Sequence, residues 1–174
     1  MLTQIVDRLN RISHSLWYWL IYIVGGITLL AVALYHQYML DELPCVLCIQ
    51  IRLWVSFMII VGLLGLIVRE TGLLNSMAHL LLVLTAVGMT ERSYMLLGTE
   101  KGFVFADCSF SLGLPGWFAI DKWLPAVYQI ETSCGYTPEL IFGITMAESL
   151  MLMSVLMLII SSGVALGSFF RMGR

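Results

Sequence analysis

The stretch Pro44-Cys45-Val46-Leu47-Cys48-Ile49-Gln50-Ile51-Arg52 sets two thiols three residues apart at the head of an apolar run, with one arginine four residues beyond the second thiol. With Pro44 and Cys45 opening a helix, a position that tolerates proline, both sulfurs stand in its first turn. Unpaired backbone N–H groups and the helix dipole there favour the thiolate, the reactive form of cysteine. Cys48 and Arg52 then share a face about 6 Å apart along the axis, an arrangement suited to a flat, electron-accepting ligand. Two more cysteines, Cys108 and Cys134, follow far downstream, and four cysteines allow three pairings. A bridge between Cys45 and Cys48 spans a single turn and constrains almost no chain, which argues against a structural purpose for that pair. Cys108 and Cys134 close a 27-residue loop. A bridge there stabilises by roughly 3.5 kcal/mol on chain-entropy grounds, so a simple structural disulfide is the competing account of those two. No histidine accompanies the sulfurs in the outer loops, and cysteine-rich metal sites want four ligands at paired spacings; no metal is expected.

Arg52 has a bland alternative, in which it snorkels to an interface or pairs with Glu91 across a helix bundle. A charge at membrane depth costs about 3 kcal/mol even on lenient insertion scales, and its place one turn from a reactive sulfur favours a role in binding an acceptor. Glu91 and Arg92 have no sulfur neighbour, and a mutual or cross-helix ion pair accounts for them. His36, Gln37 and Tyr38 fall at the end of the first apolar run, where interfacial anchoring is the default.

The elements that must position these groups are membrane helices. The 174 residues are 60% hydrophobic and 11% charged, well below the quarter of charged residues usual in soluble domains, and a helical span needs roughly 20 apolar residues. Four such runs predict an all-α membrane protein, a single domain over 1–174 built as a four-helix transmembrane bundle, with spans at about 16–37, 47–68, 74–95 and 149–170. Residues 1–14 read as an amphipathic lead-in on the membrane surface. The first run is too long for a cleaved signal and has no small-residue cleavage site, so it is expected to stay as an anchor. Trp17, Tyr18 and Trp19 at one end of it, and Tyr35 and Tyr38 at the other, read as interfacial aromatics; Gly25 and Gly26 in its middle read as allowing close helix contact. The net charge of −2 is dispersed and gives no footprint for nucleic acid.

Arg52 and Arg69 are separated by 16 residues, too few for a crossing, so the second span must begin before Arg52 and hold it at shallow depth. Two outer loops remain, at about 38–46 and 97–147. The second is functional by length alone, and in it Trp117, Phe118, Ile120, Trp123, Leu124, Val127 and Tyr128 recur near helical spacing around Asp121 and Lys122, predicting a short helix along the membrane surface. Arg8, Arg11, Arg69, Arg171 and Arg174 lie toward one side and Lys101 and Lys122 toward the other, which predicts cytoplasmic termini and puts all four cysteines on the outer, oxidising side.

Cys-Val-Leu-Cys leading into a span with arginine four residues on, then Cys108, the run Asp121-Lys122-Trp123-Leu124-Pro125 and Cys134 before a last span, resembles the DsbB family, disulfide-bond formation protein B, over the whole chain. The resemblance implies a thiol:quinone oxidoreductase of the bacterial inner membrane. Its loop disulfide Cys108–Cys134 reoxidises a periplasmic thioredoxin-like, DsbA-like dithiol oxidase, and its Cys45–Cys48 pair passes the electrons to a membrane quinone, ubiquinone or menaquinone. By position, Cys108 takes the partner's attack, Cys134 is its loop mate, Cys45 exchanges with the loop pair, Cys48 faces the quinone as a thiolate, and Arg52 positions and polarises it. The chain departs from the family in carrying Ile51 where a glutamate often precedes the arginine, and in lacking a histidine near the outer end of the third span. Rival readings are a sister oxidase for one dedicated partner, an enzyme like vitamin K epoxide reductase, or a noncatalytic four-span scaffold. The chain is expected to act as a monomer.

Overall fold

The computed structural model describes residues 2–105, 111–115, 117–135, 137–141 and 143–172. Helix α1 (Leu2–Ser13) leads into α2 (Leu16–Met39), α3 (Val46–Val68), α4 (Gly72–Lys101), two single-turn helices α5 (Ile120–Trp123) and α6 (Pro125–Tyr128), a small hairpin of β1 (Glu139–Ile141) and β2 (Ile144–Thr145), and α7 (Met146–Met172). Four helices, α2, α3, α4 and α7, are long and apolar enough to cross a membrane. The fold is the expected all-α four-helix membrane bundle, with the hairpin as its one addition among the described residues.

The long helices pack in chain order, α2 on α3, α3 on α4 and α4 on α7, while α1 lies against α7. Among the described residues α2 and α7 make no extended contact, so the ring of four is left open along that seam. Close approach elsewhere depends on small residues, as expected where lipid supplies no hydrophobic drive between helices. A Cβ on Gly65 of α3 would stand 2.3 Å from the ring of Trp19, which is fully buried. Gly26 likewise faces Ile59 at 2.5 Å, whereas Gly25 faces nothing within 4 Å, so only one of that glycine pair makes the expected contact.

One end of the bundle collects α1, the α3–α4 turn and the end of α7. The Ser13 carbonyl accepts from Asn75 Nδ2 and pairs with His79 Nε2, His14 Nδ1 pairs with the Arg69 carbonyl, and the Ser76 and Ser168 hydroxyls meet at 2.7 Å. The described cysteines lie at the opposite end.

Three boundaries differ from the sequence reading. Helix α4 runs on to Lys101 and stops at Gly102, whose φ of 77° lies in the left-handed region that caps helices. Helix α7 begins at Met146, three residues early, because Thr145 and Glu148 form a reciprocal cap: the Glu148 N–H donates to Thr145 Oγ1 and the Thr145 N–H to Glu148 Oε2. The expected surface helix is two single turns broken at Leu124 (φ −134°, ψ 64°), with Pro125 opening the second. Its amphipathic character survives the break: Tyr128 is buried and Ile120 and Val127 pack on the core, while Trp117, Trp123 and Leu124 face outward.

Candidate functional site

Helix α3 starts one residue later than the sequence suggests. Val46 is its first residue, Cys45 is the N-cap in extended geometry (φ −84°, ψ 170°), and Pro44 stands outside the helix. The Cys45 sulfur therefore takes the capping position, accepting from the Cys48 N–H at 3.4 Å, and lies 2.8 Å from the Cys48 sulfur. Both are free thiols here, so the pair expected as a disulfide is described in its reduced form. The hydrogen bond with Cys48 pushes the Cys45 thiol down to about 7, against the opposing effect of burial. A sulfur that caps a helix and accepts a backbone N–H is well placed to carry charge.

The two sulfurs face different surroundings. Cys45 is fully buried and is bridged to the long segment between α4 and α7: its backbone pairs in parallel with Thr132, and the Pro44 carbonyl accepts from the N–H groups of Glu131 at 3.0 Å and Thr132 at 3.3 Å. Two residues beyond Thr132, Cys134 packs against the core and is disulfide-bonded. Cys108, its expected mate, lies outside the described residues. Cys48 instead lines a cavity of about 110 Å³ between α2, α3 and α7, under the open seam. Its walls are mostly aliphatic, with Leu29, Leu30, Val55 and Leu150 among them, and its polar edge holds Cys48, Arg52, His36 and Glu42. Val32 and Met153 line it while 38% and 50% exposed, so the cavity abuts the apolar outer surface of the bundle.

Arg52 is 6% exposed and ties its own helix α3 to α2 and α6. Its Nη1 donates to Gln37 Oε1 at 2.6 Å and to the Val127 carbonyl at 2.9 Å, and its Nη2 to the Ala33 carbonyl at 3.1 Å. This excludes both bland readings: the side chain does not snorkel, and Glu91 pairs with Arg92 at 2.8 Å instead. The same loop is fixed at two further points. The Ser56 hydroxyl donates to the Arg52 carbonyl at 2.8 Å, which leaves the Tyr128 hydroxyl as donor in their 2.6 Å contact, and the Tyr38 hydroxyl donates to the Ala126 carbonyl at 2.6 Å.

The structure thus brings Cys45, Cys48 and Arg52 together with the segment carrying Cys134. Sequence reasoning missed Gln37, read there as an interfacial anchor. Its buried amide oxygen is what fixes the guanidinium, and the available signal was an uncharged polar residue near the outer end of a span whose neighbour carries an unpaired arginine. Chemically, the site can exchange a disulfide with the loop on the Cys45 side and present a sulfur beside a fixed positive charge to an apolar cavity on the other.

The family profile described as disulfide bond formation protein DsbB matches residues 15–163. Among curated proteins, the chain is similar to disulfide bond formation protein B 2 of Pseudomonas aeruginosa, 31% identical over 153 residues that cover 86% of this chain and 90% of the relative. It is similar also to disulfide bond formation protein B of Shewanella frigidimarina, 30% identical over 148 residues covering 84% and 88%.

Proposed function

The chain belongs to the disulfide bond formation protein DsbB family, and on that premise we propose that it is a disulfide-generating thiol:quinone oxidoreductase of the bacterial inner membrane, with its cysteines on the periplasmic side. The observation that carries this reading is the division of labour at the head of α3, where Cys45 is bridged to the strand leading to Cys134 and Cys48 shares an apolar cavity with Arg52.

In this reading the dithiol of a DsbA-like periplasmic oxidase attacks the loop disulfide at Cys108, and Cys134 leaves as a thiolate. Cys134 then attacks the oxidised C-x-x-C pair at Cys45, forming a Cys134–Cys45 bond and releasing Cys48 as the thiolate at the cavity wall. Each exchange breaks one S–S bond and makes one, so no electrons leave the sulfurs until Cys48 is reached. The partner's second thiol then displaces Cys108 and leaves oxidised, the Cys108 thiolate attacks Cys134 to re-form the loop pair, and Cys45, whose pKa is low, departs as the thiolate.

The cavity suits a quinone ring in being lined mostly by aliphatic side chains, with a sulfur and a guanidinium among them and the partly exposed Val32 and Met153 at its wall. Leu29, Leu30, Val55 and Leu150 would hold the ring and Arg52 one of its oxygens. A bound quinone supplies a two-electron, two-proton sink. Arg52, kept in place by Gln37, Ala33 and Val127, holds positive charge where a thiolate must persist in a low-dielectric setting.

The test is turnover by the purified, oxidised protein of a reduced thioredoxin-like dithiol with ubiquinone or menaquinone as acceptor, together with mass identification of the co-purified quinone. Quinone-dependent oxidation of the dithiol is expected; its complete absence with both quinones would refute the proposal and favour a noncatalytic scaffold.

A further inference from the structure

Converting the Cys45/Cys48 dithiol to a disulfide releases two electrons and two protons, and a quinone becomes a quinol by accepting two of each. The electrons have a path through Cys48, but the protons do not all come with the sulfur beside the cavity. Cys45 does not line the cavity and faces the Thr132 segment instead, so its proton is released away from the acceptor and at least one proton for the quinol needs another route. Beyond Cys48 and Arg52, the polar side chains on the cavity wall are His36, Glu42 and Ser149, the last a hydroxyl that does not titrate. Arg52 carries no exchangeable charge at any working pH, and its Nη1 and Nη2 groups are committed to three oxygens.

Two lining residues can move a proton, His36 and Glu42. Both also line a second, more polar cavity of about 430 Å³ on the outer side, walled further by Glu100, Thr137, Glu139 and Thr145. They form the partition between the two cavities together with Pro138, which offers no donor. The backbone holds them as a unit. Asp41 takes φ 52°, turning the chain back at the end of α2 so that the Glu42 N–H donates to the His36 carbonyl at 3.1 Å. The His36 Nδ1 is buried with no hydrogen-bond partner among the described residues, an acceptor or donor left open beside the redox cavity.

We propose that His36 and Glu42 form a proton relay that carries protons from the outer polar cavity to the acceptor held between Cys48 and Arg52. The proposal rests on the thiol:quinone reading above. The donor is water in the outer cavity, the conduit is the Glu42 carboxylate and the His36 imidazole, and each relayed proton ends on an oxygen of the reduced quinone. The charged and titratable groups around the relay are Cys48 and Arg52 of α3, Glu100 and Lys101 of α4, Glu139 of β1 and Glu148 of α7, the last paired with Lys101 at 2.8 Å. General acid catalysis by a placed imidazole is worth at least tenfold in rate.

The experiment compares wild type, His36→Phe, His36→Gln and Glu42→Gln in detergent. It measures single-turnover quinone reduction from pH 5.5 to 8.5, equilibrium quinone binding to quinone-free protein by tryptophan quenching, and rescue by added imidazole. Labelling of His36→Cys by a water-soluble thiol reagent, in a background without other cysteines, reports whether water reaches the relay. Expected results are at least tenfold slower reduction in both His36 variants, at least half of it restored by imidazole, quinone affinity within twofold of wild type, a smaller loss in Glu42→Gln, and labelling at position 36. A wild-type rate in both His36 variants, a rate loss matched by an equal loss of quinone affinity, failure of imidazole to restore the rate, or no labelling at position 36 would each overturn the relay. Absence of quinone reduction in the wild type would instead overturn the reaction on which it rests.

Discussion

Arg52→Gln tests the site at its most connected atom, because the guanidinium does two separable jobs. As a clamp it joins α2, α3 and α6 through three hydrogen bonds. A glutamine is shorter and neutral, leaving the buried Gln37 oxygen and the two carbonyls short of a donor. An unsatisfied buried acceptor costs about 1–3 kcal/mol, and with partial rescue by water from the neighbouring cavity the net destabilisation should be about 2–4 kcal/mol. In the proposed reaction the Arg52 charge would stabilise a thiolate at Cys48 and negative charge developing on an acceptor oxygen, and its loss should slow quinone reduction at least about tenfold, roughly 1.4 kcal/mol, while raising the apparent KM for quinone. Arg52→Lys separates the two: one ammonium cannot reach three oxygens on different elements, so stability should fall nearly as far while the rate is partly kept. Unfolding followed by circular dichroism in detergent reads the first quantity and stopped-flow loss of quinone absorbance the second; thiol exchange between the partner and the loop should persist in both variants. A folded Arg52→Gln protein with normal stability and a normal rate would refute both jobs, and equal rates for Lys and Gln would show that charge is not what matters.

Four other outcomes follow from the geometry. With Cys108 and Cys134 changed to Ser, alkylation of reduced Cys45 should be half-maximal near pH 7, slow below it where the thiol is protonated and fast above it; Cys48→Ala removes the main cause and should move that midpoint upward, and an unmoved midpoint would assign the shift to the helix start alone. Cys134→Ala should trap a mixed disulfide with the partner through Cys108, and peptide mapping that finds the partner on Cys45 would reverse the order of the relay. Gly65→Ala pushes a methyl into the rigid, buried ring of Trp19 and should cost about 1–3 kcal/mol, read as a lower unfolding midpoint, with no change indicating that the α2–α3 contact yields. A membrane-impermeant thiol reagent should label the reduced cysteines in spheroplasts, and labelling only after permeabilisation would invert the topology.

The four spans, the C-x-x-C pair and the arginine below it were legible because each depends on local composition or on spacing within a single helix. Of the five aromatics read as interfacial, Trp17, Tyr35 and Tyr38 are largely exposed, whereas Tyr18 and Trp19 are buried, Trp19 packing its ring over Gly65 of α3; composition marks the end of a span but not which of its faces meets a neighbouring helix. What could not be read were contacts between segments distant in sequence: Gln37 on Arg52, 15 residues apart, Val127 on Arg52, 75 apart, and Thr132 on Cys45. No periodicity encodes which carbonyl a guanidinium will find across a bundle. Two misses were local and recoverable. The Thr145-x-x-Glu148 pattern is a capping box that marks the start of α7, and Pro125 in the middle of the apolar loop segment signals that one surface helix must become two.

The small parallel bridge between Cys45 and Thr132 has a kinetic consequence. Cys134 follows two residues after Thr132, and two residues of extended chain reach no more than about 7 Å, so the sulfur of Cys134 is confined to a volume around Cys45 that corresponds to an effective concentration on the order of tenths of a molar. A long flexible loop anchored only at its ends would give millimolar values. In the proposed relay, exchange between the loop and the helix-start pair would therefore be an intramolecular reaction with its encounter already made, insensitive to how much of the protein the membrane holds. The meetings of that relay with the soluble dithiol and with the membrane quinone would then be the steps that remain bimolecular, and the supply of those two partners, not the internal exchange, would set the pace.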